Sequence, residues 1–171
     1  MKTFTLLLSG FLLFSATQTY SQSVEIPKSY TLKTKEDYVP YEKTVIEIAK
    51  WLVKTPLDEQ LAKRVEASKF IMDWVNGSPT VNVELNEAIM DFNKKNDGML
   101  IIYMASSAKY VLENNYSKDM RAKHRAALRD MIAVYKNSTG IKKDKKMEKL
   151  IKMEEAGKLD EWLTENLKIS K

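Results

Sequence analysis

The sequence predicts an all-α fold: a single bundle of six or seven antiparallel helices after an N-terminal signal segment. Three observations predict it. Lys, Glu, Leu, Ala and Met dominate a chain with only five Gly and four Pro in 171 residues, a composition that favours helices. Beyond residue 40, apolar residues recur three and four apart in most stretches, the spacing that lines one face of a helix. The connections between those stretches are a few residues long, which makes successive helices antiparallel neighbours.

The first segment reads as a targeting signal rather than as part of the fold. Lys2 supplies the positive start, "FTLLLSGFLLFSA" (residues 4–16) the apolar run, and "TQTYSQS" a polar tail. Thr19 and Ser21 are the small pair that a signal peptidase requires if cleavage leaves Gln22 first. A membrane anchor is the alternative, but the run falls short of the roughly 20 apolar residues that span a bilayer. The expected division is a signal peptide over 1–21, an extended arm over 22–36 with no helical period, and a helical domain over 37–171. That places the mature protein in the periplasm or outside the cell, with no membrane span after signal removal. The chain has no cysteine, which excludes disulfides, thiolate metal sites, a cysteine nucleophile and a lipidated lipoprotein terminus. A domain of about 150 residues buries enough surface to stand on its core alone.

The elements follow in order. Tyr41, Val45, Ile48 and Leu52 stripe a first helix from about Pro40 to Lys54. "TPLDEQL" has the form of a helix start, with Thr55 as cap, Pro56 in the first turn and Asp58 and Glu59 against the positive helix end. The second helix then runs to Val75, with Leu57, Leu61, Val65, Ser68, Met72 and Val75 on its core face, and Asn76–Gly77 as a left-handed cap. "TVNVEL" alternates like a strand but has no partner, so it is an extended entry to a helix ending near Lys95. Residues 98–113 form the most apolar and most central helix. Ser117 caps the next, which reaches Tyr135. A lysine-rich helix spans 141–156, Gly157 caps it, and a short helix from Leu159 to Leu167 closes the fold. Trp51, Trp74 and Trp162 share no period and serve as core anchors.

Candidate sites are few. His124 is the only histidine, and at about 100° per residue it shares a face with Met120, Ala127, Leu128, Met131, Val134 and Tyr135. A histidine on such a face is ordinarily half-buried with one hydrogen-bond partner. On the central helix Tyr103, Ser107 and Tyr110 form a polar-tipped stripe. If that stripe faces His124, the four residues make a pocket of hydroxyls and an imidazole suited to a small molecule. The simpler account is tyrosines packed against neighbouring helices with their hydroxyls at the surface. Arg121, Arg125 and Arg129 lie four apart, and Lys142, Lys145, Lys149 and Lys152 line the following helix. Merged, the two rows would attract an anionic polymer; the simpler account is a solvated helix face. The net charge of +5, of which Lys2 is the only contribution before residue 22, leaves +4 on residues 22–171. That charge is low for a nucleic-acid binder, and no aromatic platform accompanies it. No metal-ligand pair, nucleophile elbow, phosphate loop or dinucleotide fingerprint is present, so no catalytic residue, metal or cofactor is assigned.

The stretch "AKYVLENNYSKDMRAKHRAAL" resembles a single tetratricopeptide hairpin, although Asp119 stands where an alanine is usual and no second unit follows. "WVNGSPTVNV", "NNY" and the ending "GKLDEWL" are similar to small secreted helical proteins of unknown function from the Bacteroidota. That resemblance implies export and carries no activity. The function expected from the sequence is a non-catalytic exported module that binds another protein through a groove between helices. The rival is a small-molecule binder or small enzyme built on Tyr103, Ser107, Tyr110 and His124.

Overall fold

The computed structural model describes residues 24–168; the expected signal segment lies outside them. These residues form an all-α bundle of seven helices: α1 Glu42–Lys54, α2 Leu61–Gly77, α3 Glu87–Asp91, α4 Met99–Glu113, α5 Met120–Asn137, α6 Lys145–Glu155 and α7 Leu159–Leu167. No helix among them is long and apolar enough to cross a membrane.

The organising element is α4. Residues 101–108 are buried without interruption, so this helix is enclosed on every side rather than striped. It packs against α5, α1 and α2. The α1 face of Val45, Ile48, Ala49 and Leu52 and the α5 face of Ala127, Leu128, Met131 and Val134 close over it as their periodicity requires. α6 and α7 add Met147, Leu150, Leu159, Trp162 and Leu163 on the far side of α5. All three tryptophans are buried. Caps follow the usual chemistry: the carboxylates of Asp119 and Asp144 and the Asn86 amide oxygen accept backbone N–H groups from the first turns of α5, α6 and α3.

The expected core face of α2 is corrected. Its buried residues are Arg64, Ala67, Phe70, Ile71, Trp74 and Val75, while Leu61, Val65 and Met72 face solvent. Apolar residues occupy two sides of this helix, and tertiary contacts decide between them. Arg64 is drawn inward because its Nη2 donates to the carbonyls of Leu52 (3.3 Å), Thr55 and Pro56 (3.1 Å), at and just beyond the C-terminal end of α1. A guanidinium there satisfies orphan carbonyls and opposes the negative helix end.

The helix start expected at Thr55–Pro56 is also corrected. Thr55 ends α1, and α2 begins only after Gln60, whose φ is 49°. Asp58 does not serve a helix N-terminus. It accepts from Thr139 Oγ1 (2.8 Å) and the Gly140 amide (3.2 Å), while Leu57 N donates to Ser138 Oγ (2.9 Å). The 55–60 loop is thereby pinned to the α5–α6 turn. The helix expected to end near Lys95 shortens to α3, and α6 starts at Lys145 rather than Ile141. Asn96 holds the intervening loops together through both of its amide atoms, accepting from Lys142 N (2.7 Å) and donating to Lys142 O (2.8 Å).

The N-terminal arm is an integral part of the packing. Tyr30 lies edge-on to Phe70 with ring centroids 5.0 Å apart, and the Trp74 indole N–H donates to the Tyr38 carbonyl at 3.1 Å. Gly77 is not the left-handed cap expected; α2 continues through it. A Cβ at Gly77 would stand 1.9 Å from the Tyr38 hydroxyl, so the missing side chain makes room for the arm. In an unobstructed helix Gly→Ala stabilises by about 0.5–1 kcal/mol. Here Gly77→Ala is expected to destabilise instead, by about 1–3 kcal/mol of overpacking. Thermal unfolding reads the sign, and adding Tyr38→Phe should recover part of the loss; a stabilised single variant would refute the contact.

Candidate functional site

The structure brings Tyr103 and His124 together. They face each other across the α4–α5 contact, with the Tyr103 hydroxyl hydrogen-bonded to His124 Nδ1 and the rings stacked at 5.9 Å between centroids. Two residues that sequence reasoning missed complete the cluster. Lys123, only 3% exposed, sends its ammonium to Glu84 Oε2 (2.5 Å) and to the Asn82 carbonyl (2.8 Å). Glu84 Oε2 also lies 3.6 Å from His124 Nε2. Glu84 and Asn82 belong to the extended segment between α2 and α3, so Lys123 ties that segment to α5. A signal for Lys123 existed: it sits one turn before Ala127 and two before Met131, on the apolar stripe of α5.

Burial and the neighbouring charges keep both rings neutral. The Tyr103 hydroxyl has one proton, and its nearer partner is Nδ1 rather than the Glu84 carbonyl at 3.4 Å. The buried imidazole is neutral at pH 7; the Tyr103 hydroxyl donates to Nδ1 in one tautomer, and in the other accepts from it while donating to the Glu84 carbonyl. Burial first, and Lys123 second, lower the His124 pKa to about 4, against an opposing pull from Glu84. Burial, followed by the charge of Glu84, raises that of the Tyr103 phenol.

Chemically this cluster is a polar core in which Tyr103 partners His124 and Lys123 partners Glu84. Tyr103 and Ser107 are fully buried and His124 is 2% exposed, which leaves no ligand-sized space against them. Ser107 Oγ is enclosed without a hydrogen-bond partner. Tyr110 is half-buried, and among the described residues it makes no hydrogen bond or ring contact with His124. Among the described residues no group of three His, Asp or Glu side chains stands close enough to hold a metal ion.

The two basic rows are treated differently by the fold. The arginines are engaged by carboxylates at the α6–α7 end. Arg125 grips Asp160 through Nε (3.0 Å) and Nη2 (2.6 and 2.7 Å), and Arg129 Nε meets Glu154 at 2.6 Å. Arg121 donates to the Asp160 carbonyl (3.1 Å) and Thr164 Oγ1 (3.2 Å). Hydrogen bonding from Arg125 and the surrounding positive charge hold the Asp160 carboxyl below the usual carboxylate range. Lys142, Lys145, Lys149 and Lys152 are exposed. The arginines thus fasten α5 to α6 and α7, while the lysines, like Arg129, face solvent.

The remaining feature is apolar. On α2, Leu61, Val65 and Met72 are 61%, 70% and 45% exposed and follow one another along the outer face. Beside them an open cleft of about 710 Å³ lies between the arm (Pro27–Tyr30) and Glu66 and Lys69 of α2. Exposed aliphatic side chains scattered singly need no explanation, whereas these three share one face of a single helix. Comparison with known proteins gives no matching family model, no matching curated protein and no matching solved structure.

Proposed function

We propose that this chain is an exported, non-catalytic helical module that binds another protein through the outer face of α2 and the cleft beside it. The observation that carries the reading is the solvent-facing row of Leu61, Val65 and Met72, held on a helix whose opposite side is locked into the core. Removing such a row from water rewards a partner at roughly 25 cal/mol per Å² of apolar surface covered. The rigid helix supplies anchors at fixed spacing, as groove-and-helix recognition requires. The polar cluster around His124 supports the same reading from the other side, because its side chains are spent on one another and have no room for a substrate.

The test is capture from the periplasmic and cell-surface fractions with the native protein and with a Leu61→Ser/Val65→Ser/Met72→Ser variant. All three positions are exposed, so the variant should unfold at nearly the native temperature. A specific protein recovered by the native chain and lost with the variant is the expected result. Equal recovery by both, or none by either, overturns the reading.

A further inference from the structure

Resting on that reading of α2, we propose that the protein bound there is a second copy of this chain, packed antiparallel against α2 about a twofold axis. Leu61, Val65, Ser68 and Met72 are separated by four, three and four residues, the repeat of a two-helix seam. A helix presented only to water has no need of apolar residues at that repeat. The set is also self-complementary. One antiparallel register places Leu61 against Met72 of the other copy and Val65 against Ser68 of the other copy. Ser68 suits the centre of such a contact because it is small and its hydroxyl already donates to the Arg64 carbonyl at 2.7 Å.

The charges beside the seam match in the same register. Glu66 of each copy comes next to Lys69 of the other, so the two contacts are reciprocal, as a twofold interface demands. Glu66 is exposed and makes no ion pair within its own chain among the described residues. Lys69 has three donors and uses two of them, on Tyr30 Oη (3.0 Å) and Asp73 Oδ2 (2.6 Å), which leaves one for an incoming carboxylate. In this register the two α2 helices overlap from Leu61 to Met72, a contact about 17 Å long. A contact of this length sits at the small end of specific interfaces, so a dissociation constant of about micromolar order is expected.

Sedimentation equilibrium of the purified protein tests the proposal. The expected result is a monomer–dimer equilibrium that Val65→Glu weakens by at least about tenfold. Glu66→Lys and Lys69→Glu should each weaken it as well, and the double exchange should restore it, because it rebuilds the same pair with its signs reversed. Circular dichroism on every variant separates lost association from lost fold, and the charge exchange stands as the second route if Val65→Glu misfolds. A monomer at all concentrations, a dimer indifferent to Val65→Glu, or a double exchange that fails to recover each overturns the inference. A monomer that still captures a different protein through this face overturns self-association and leaves the binding-module reading standing.

Discussion

Glu84→Ala is expected to lower the unfolding free energy by about 3–5 kcal/mol, and Lys123→Met by only about 1–2 kcal/mol. The two residues form one ion pair, so the asymmetry comes from what each substitution leaves behind. Lys123 is 3% exposed, and without Glu84 its ammonium keeps a single oxygen partner, the Asn82 carbonyl at 2.8 Å. A buried charge without its counter-charge carries most of its desolvation penalty uncompensated. The Glu84 side chain is 39% exposed, so without Lys123 its carboxylate turns to water. Methionine also refills much of the space of the lysine stem with apolar atoms. Urea unfolding of both variants at neutral pH decides the order. A Lys123→Met loss equal to or greater than that of Glu84→Ala would show that the stem and the Asn82 contact, rather than the buried charge, dominate this site.

The same pair marks where the sequence stops being legible. The all-helical class and the faces of α1 and α5 follow from periodicity, because each has a single apolar side. α4 was recognisable as central because it is apolar all round. α2 is ambiguous in sequence for a definite reason: Leu61, Val65 and Met72 obey helical spacing as well as Ala67, Ile71 and Trp74 do. Nothing local says which set meets α4. The deciding contacts are Arg64 on the carbonyls at the end of α1 and Tyr38 against Gly77 and Trp74, all across separate segments. Asp58 illustrates the same limit, since a carboxylate in a helix-start pattern is taken instead by Thr139 and Gly140 in the α5–α6 turn. At the candidate site, periodicity puts His124 on the apolar stripe of α5, but whether the Tyr103 stripe of α4 faces it is set by tertiary packing. Glu84 could not be found, since it lies on an irregular segment whose path no periodicity describes. The arginine row was visible as a row, but its carboxylate partners come from helices more than 20 residues further along the chain.

Acid should unfold this protein through His124 before it does so through the carboxylates. In the unfolded chain the imidazole takes up a proton near its ordinary value of 6.5, whereas in the fold it resists down to about 4. Between those values the unfolded state binds more protons than the native state, so stability falls as pH falls, and the window closes below pH 4 where both forms are protonated. The full loss across that window amounts to about 3 kcal/mol. Its cause is physical: burial leaves little water to solvate an imidazolium, which would also stand beside the Lys123 ammonium. The Glu84 carboxylate, 3.6 Å from Nε2, opposes this effect without cancelling it. Asp37, Asp58, Asp73 and Asp160 are all held below their ordinary 3.8, so their contribution is present above that value and disappears only at lower pH. Urea unfolding at a series of pH values from 7 to 4 therefore separates the two regimes. His124→Phe keeps an aromatic ring stacked on Tyr103 and removes the titrating group. Its stability at neutral pH should fall, because the Tyr103 hydroxyl is left with only the more distant Glu84 carbonyl at 3.4 Å. Its profile between pH 6.5 and 4 should be nearly flat where the native protein declines, and equal slopes for the two proteins over that range would mean that His124 is not what resists the proton.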